Sequence, residues 1–283
     1  MAKEPCMKKS GIRFSRDASV VVIGAHPDDA VRACGGVMLR ALAKGAGLTV
    51  IAVTDGAALF GKEGIPEGRE TAAGRRAEQV RALRVLGVPR RDTLYLGFPD
   101  GGIAKLRHRH RGHRSRPYFC PWLDADHTGD MSCVPGIGFS GNTLLNLLTD
   151  RIAHARPTHL FTHASGDRHP DHRGVTWFVR RALARLRRTA CSAGSCTPGR
   201  RPLTPAVYEY LTYLRGTHWP PAGSAVPVDA ARALPFPGRV VDFRLTPAEQ
   251  RRKDAALDRF TPILGDAYID NWRRTNEIYW IAE

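Results

Sequence analysis

Residues 20–36 read VVVIGAHPDDAVRACGG, an apolar β-branched run that ends in His26, Pro27, Asp28 and Asp29. Residues 163–172 read HASGDRHPDH and follow a second apolar run. Together the two clusters offer His26, Asp28, Asp29, His169, Asp171 and His172. Imidazole and carboxylate suit zinc, and a catalytic zinc site takes three protein ligands and leaves a position for water. His26 and Asp29 are three residues apart, as are His169 and His172, so one helical turn can aim each pair at one point. The groups left over stand beside the metal, where hydrolysis needs a base and an acid. Each cluster also has a plainer reading, since Asp is a common helix N-cap and HPDH alone fits a turn. Complementary ligands at the ends of two buried strands favour the metal. A dinucleotide site is disfavoured: there is no GxGxxG, and two carboxylates at a helix start would repel a pyrophosphate.

The elements that must position these groups follow from periodicity. Residues 18–25 predict a buried strand that Pro27 ends. Val31, Cys34, Met38 and Leu42 then share a helical face, with Gly45 as the stop. LTVIAVT (48–54) is a second strand, so the chain opens with a β-α-β unit. A helix over 69–86 is capped by Gly87 and followed by the strand TLYLG (93–97). Residues 98–141 lack periodicity and predict a long functional loop. Helix 143–155, strand 158–163, helix 173–188 and strands 207–214 and 239–245 follow, with a last helix after Thr246-Pro247. This alternation predicts one α/β domain over residues 1–283 around a parallel sheet, behind a flexible leader at 1–17. Ligands of such sheets bind beyond the carboxyl ends of the strands, where winding reverses. If it reverses between strands 18–25 and 158–163, the two clusters share one crevice.

Composition bounds the rest. The chain has 283 residues, 42% hydrophobic and 25% charged, which is ordinary for a globular protein. No apolar run reaches the roughly 18–20 residues of a membrane span, and a charged N-terminus without an apolar h-region predicts a cytoplasmic protein. The net charge of +16 is concentrated in KLRHRHRGHRSRP (105–117) and VRRALARLRR (179–188). Neither stretch is interleaved with stacking aromatics, so a solvated basic surface is preferred to a nucleic-acid interface. His108, His110 and His113 are read as part of a basic loop. Tyr208, Tyr210, Tyr213 and Trp219 are read as core in preference to a sugar-stacking platform. Six cysteines show no CxxC; whether Cys191 and Cys196 pair is left open.

AHPDD followed at a distance by HPDH resembles the PIG-L/LmbE-like family of zinc-dependent de-N-acetylases. The resemblance continues through RRAEQVRALRVLGV (75–88), LGFPDGG (96–102), RPTHLFTHASGDRHPDH (156–172) and NEIYW (276–280). It implies a Rossmann-like, mostly parallel sheet with helices on both faces and a metal site at the C-terminal strand ends. It implies one zinc ion per chain, or another divalent transition metal, held by His26, Asp29 and His172. Asp28 is then the general base, His169 polarises the carbonyl or stabilises the oxyanion, and Arg75 and Asp100 contact substrate. The family usually reads AHPDDE, and Ala30 stands here for the glutamate. That position is not a ligand, so the metal set is expected to survive while the support behind it changes.

The expected reaction removes an N-acetyl or N-acyl group from a small-molecule amino sugar or glycoconjugate. The alternatives are an amidase acting on another acylated amine or thiol conjugate, and a polyanion-binding protein with a vestigial metal site. The loop 98–141 and the segment 189–235 are expected to wall the pocket.

Overall fold

The computed structural model describes residues 11–58, 68–112, 116–192, 203–214, 219–221 and 223–282. In chain order the elements begin β1 (Ser19–Gly24), α1 (Asp29–Ala43), β2 (Gly47–Thr54), α2 (Arg69–Leu86), β3 (Thr93–Phe98) and α3 (Ile103–His108). They continue with α4 (Gly141–Ala155), β4 (His159–His163), α5 (Pro170–Ser192), β5 (Ala206–Tyr210) and α6 (Val228–Arg232). The chain finishes with β6 (Arg239–Arg244), α7 (Pro247–Leu257), α8 (Thr261–Leu264), α9 (Asp266–Asp270) and β7 (Asn276–Ala282).

One seven-stranded sheet runs in the order β3-β2-β1-β4-β5-β7-β6. The first five strands are parallel, and β7 pairs antiparallel with both β5 and β6. Winding therefore reverses between β1 and β4, which pair directly, Val20 opposite His159 and Val22 opposite Phe161. The fold is the α/β class that alternation predicts, with an antiparallel end to the sheet. NEIYW, which carried no strand assignment, forms most of β7.

β1 shows how the layers arise. Val20 and Val22 belong to one core cluster with residues of α1, α7 and the second half of α2. Val21 and Ile23 belong to the other, with residues of α3, α4 and α5. Alternate side chains of a strand leave on opposite faces, so a strand covered on both sides is apolar throughout. Ile12 is buried and Phe14 packs on the first cluster, so this part of the expected flexible leader belongs to the core. Residues 98–141 are more ordered than their composition suggests: they hold α3 and two isolated bridges, Cys120–Ala125 and His127–Gly138. The two arginine-rich stretches meet in space, with Arg107, Arg111 and Arg181 at 5.2, 5.2 and 4.9 Å from the centre of the Trp177 ring. Cys34 and Cys120 are buried thiols and Cys133 an exposed one; Cys6, Cys196, His113 and the side chain of Cys191 lie outside the described residues.

α1 is broken at Cys34, whose φ of −131° and ψ of 17° are not helical. A break leaves amides without helical carbonyl partners, and here a remote carboxylate takes them. Glu277 of β7 accepts the N–H groups of Gly36 (2.8 Å) and Val37 (3.1 Å), and Lys253 of α7 pairs with it at 2.7 Å. The Tyr279 hydroxyl lies 2.8 Å from both Glu277 Oε2 and the Ala33 carbonyl. Gly36 is needed for this approach, because a Cβ there would stand 2.0 Å from Leu245 Cδ2 and 3.2 Å from Glu277 Oε2. Glu277 and Lys253 are both buried, so removing one strands the charge of the other. Glu277→Ala is expected to cost about 3–5 kcal/mol in urea unfolding, the range for a broken buried pair. Wild-type stability in that variant would mean that packing alone holds the break.

Candidate active site

Five parallel strands point their carboxyl ends at one place. His26 follows β1, Asp55 follows β2, Asp100 follows β3, His163 ends β4 and Thr212 follows β5. The first turns of α1 and α5 add Asp29, Asp171 and His172. Nearly all of these side chains are buried; His169, beside them, is half-exposed.

The structure brings His26, Asp29 and His172 together. His26 Nδ1 lies 3.0 Å from His172 Nε2 and 3.3 Å from Asp29 Oδ2, and the third side of the triangle is 3.5 Å. A tetrahedral ion with bonds of about 2.0–2.1 Å has ligand-to-ligand edges of about 3.3–3.4 Å, so this donor set fits one. Two imidazole nitrogens and a carboxylate oxygen at this spacing need a proton or a metal ion between them. Other triples also converge, namely His26 with His169 and His172, Asp29 with His163 and His172, and His26 with Asp100 and Asp171. Hydrogen bonds to the far ring nitrogens favour the first set. Asp100 Oδ1 holds His26 Nε2 at 3.0 Å, while Asp167 Oδ1 and Thr212 Oγ1 hold His172 Nδ1 at 3.1 and 2.7 Å. Carboxylates behind the rings direct the opposite nitrogens inward, the usual support of a metal-ligating histidine.

The charges agree with a cation at this point. Burial works against a charged His26, but Asp100, Asp171 and Asp29 outweigh it and raise its pKa well above the usual value. Burial and His163 push His172 down to about 3, which keeps it neutral, the form in which an imidazole can bind a metal. Burial pushes against ionisation of Asp29, yet His172 and His163 hold its pKa well below the carboxylate range.

Asp28 occupies the N-cap of α1 without making a capping bond. Its Oδ2 accepts from Arg32 at 2.8 Å and its Oδ1 from Arg75. Burial would raise its pKa, but Arg75 and then Arg32 overcome this and keep it ionised. Arg32 lies over Trp272 and Tyr268, 4.3 and 4.6 Å from the ring centres. Arg75 has an Nε without a hydrogen-bond partner among the described residues. Gly56, at φ +69°, lets the pieces close: a Cβ there would meet Pro27 Cδ at 2.9 Å and Arg75 Nε at 3.3 Å. Asp100 spends Oδ1 on His26 and Oδ2 on the Ala58 N–H (3.1 Å), which makes it a support of His26 more than an open contact for substrate. Asp171 accepts from Gly101 N–H (2.6 Å) and Ile103 N–H (3.1 Å) and so ties the loop after β3 to α5.

His169 Nδ1 accepts the Asp171 N–H at 3.3 Å, which leaves the ring proton on Nε2. Burial, then His26, lower its pKa, so it is neutral. A cavity of about 270 Å³ opens over the site and is lined by His26, Asp28, Arg75, His169, Tyr213 and Tyr268, among others. The Tyr213 and Tyr268 hydroxyls bond each other. Of the four aromatics weighed from the sequence, only Tyr213 lines this cavity; Tyr208 and Tyr210 are buried, and Trp219 packs toward Trp280.

A family model described as PIG-L, GlcNAc-PI de-N-acetylase, matches residues 21–183, more than half of the chain. The chain belongs to this family. No curated protein sequence matches it significantly. Solved structures of similar fold include N,N'-diacetylchitobiose deacetylase from Pyrococcus horikoshii, at 17% identity and TM-score 0.57, covering 93% of this chain and 83% of the other. They also include GalB, the 4-carboxy-2-hydroxymuconate hydratase from Pseudomonas putida, at 16% identity and TM-score 0.56, covering 90% and 82%. The zinc-inhibited form of the teicoplanin deacetylase Orf2 follows at 19% identity and TM-score 0.53, covering 92% and 96%.

Within this PIG-L family chain the matched segment contains every candidate metal, catalytic and substrate residue named from the sequence, from His26 to His172. Arg32, His163, Asp167, Thr212 and Tyr268 were not singled out. Arg32 was the most accessible of them, since a basic residue four positions after an aspartate on a helix is a recognised pair. Ala30 packs in the first core cluster, and Arg32, with Nη1 also 3.5 Å from Asp29 Oδ1, supplies polar support to the acidic pair.

Asp55 gives a test of the site's electrostatics. It is buried, its Oδ2 has no partner, and burial with the charge of Asp100 pushes it up to about 8. An unfolded Asp titrates near about 3.9, so between these values the folded chain holds a proton that the unfolded chain has lost. Stability from this group is full below the lower value and falls as pH rises, by about 1.4 kcal/mol per unit within the window. Urea unfolding of chelator-treated protein at pH 5 and pH 8 is expected to show a smaller loss for Asp55→Asn than for wild type. Equal losses would show that Asp55 is ionised throughout.

Proposed function

We propose that this chain is a metal-dependent amide hydrolase that removes an N-acetyl group from an amino-sugar-type substrate, with one zinc ion held by His26, Asp29 and His172. The reading is carried by the triangle of donor atoms at 3.0, 3.3 and 3.5 Å with an ionised, doubly held Asp28 beside it. Fold alone would not carry it, since a hydratase shares the architecture. A zinc ion bound there supplies Lewis-acid chemistry and brings the pKa of water toward neutrality.

The remaining work falls to the protein. Asp28 takes the proton of the attacking water, held in place by Arg32 and Arg75. His169, neutral with its proton on Nε2, donates to the oxygen that becomes negative as the carbonyl turns tetrahedral. The C–N bond then breaks, and the proton gained by Asp28 passes to the amine, giving acetate and free amine. Arg75 lines the cavity in which substrate would lie, and Tyr213 and Tyr268 form the wall against which its ring rests.

The test combines zinc content with acetate release from N-acetylglucosaminides and N,N'-diacetylchitobiose, for wild type, Asp28→Asn and His172→Ala. Wild type is expected to hold about one zinc and release acetate. Asp28→Asn is expected to keep the metal and lose about 10²–10⁴-fold in turnover, the range for a general base. His172→Ala is expected to lose the metal. Undiminished turnover in Asp28→Asn removes that residue as the base. Zinc-loaded wild type that cleaves other acylated amines but none of these sugars would make the chain an amidase of a different substrate class.

A further inference from the structure

Beyond this site, and independent of it, we propose that α2 and the edge strand β3 form a second ligand site, for a small organic anion with a flat apolar body. A cavity of about 410 Å³ lies between them, within the range of small-molecule pockets. Three cations line it, Arg76 and Arg84 from α2 and Arg90 from the turn before β3, and no acidic residue does. None of the three guanidiniums has an ion pair among the described residues; Arg76 lies over the Tyr95 ring at 5.3 Å.

The second observation is Gln79, which lines the same cavity, is 1% exposed, and has no hydrogen-bond partner at either amide atom among the described residues. A buried carboxamide with both ends unmatched is costly, about 1–3 kcal/mol for each group, and such a group in a native fold calls for an explanation. A ligand carrying a polar group beside its ring would satisfy it. Leu83 and Tyr95 offer the apolar surface, and Val80, one of the two large hydrophobics exposed among the described residues, stands at the rim. Guanidiniums bind carboxylate, sulfonate and phosphate alike, so the shared chemistry is an anionic head on an aromatic body.

The probes are 1-anilinonaphthalene-8-sulfonate and N-phenyl-1-naphthylamine, the same ring system without the sulfonate. Each is titrated by fluorescence into the full chain, as wild type and as Arg84→Ala/Arg90→Ala; both arginines are exposed, so the fold is not at stake. The double substitution is expected to weaken the sulfonate by about tenfold or more, the equivalent of about 1.4 kcal/mol, and to leave the neutral probe unchanged. Cys133 at the cavity gives a readout apart from fluorescence, because its thiol is exposed. Saturating sulfonate is expected to slow alkylation of the Cys133 peptide, followed by mass spectrometry, in wild type and not in the double variant. Sulfonate binding of equal strength in both proteins, or an alkylation rate at Cys133 that the probe does not change, overturns the proposal.

Discussion

Two adjacent buried carboxylates at the start of α1 set the terms for the rest of this structure. Asp28 and Asp29 cannot both be ionised away from water unless each has positive charge of its own. The chain meets the demand in two different ways. Asp28 is surrounded by fixed cations, Arg32 from its own helix and Arg75 from α2. Asp29 is surrounded by imidazoles, which neutralise it only by carrying a proton or by sharing a metal ion with it. The division sets a carboxylate held ionised by arginines one residue away from a carboxylate held among imidazoles.

The sheet topology makes the division possible. Because β1 and β4 are parallel neighbours and the chain winds away from them toward opposite edges of the sheet, the loop after β1 and the first turn of α5 face each other across the reversal. Supporting contacts then come from the flanking strands: Asp100 from beyond β3, Thr212 from beyond β5. Asp167 draws the arrangement together, accepting from the amides of His169, Thr212 and Tyr213 while it holds His172. Each imidazole in the triangle is thus aimed by a residue from a different strand end, which gives rigidity no single loop could supply.

What was legible in the sequence follows from how local each signal is. β1, β2 and β4 announce themselves as short apolar runs because both of their faces are covered; His26 and Asp29 stand just after β1, and His172 opens the helix that follows β4. The acidic pair and HPDH are each contiguous in sequence and need no knowledge of the fold to be noticed. Thr212 and Tyr268 carry no such mark: they reach the site only because β5 and the short helices before β7 are brought there by packing. β7 was hidden for a related reason, since Asn276 and Glu277 open it with polar side chains that serve buried partners. Asp100 was expected to meet substrate; it lines the cavity, and three-dimensional proximity adds that its oxygens also hold His26 and accept the Ala58 N–H.

The Glu277 contact has a consequence for how the protein is made. The amides it accepts lie at Gly36 and Val37, 241 and 240 residues earlier, so the break in the helix that begins with Asp29 is closed by a segment synthesised long after it. At about 5–20 residues per second, the parallel core has many seconds in which to assemble first. The acidic pair must wait in a helix whose second half still has open amides. The setting of the two carboxylates thus depends on a strand far away in the chain, and it is complete only once β7 has docked.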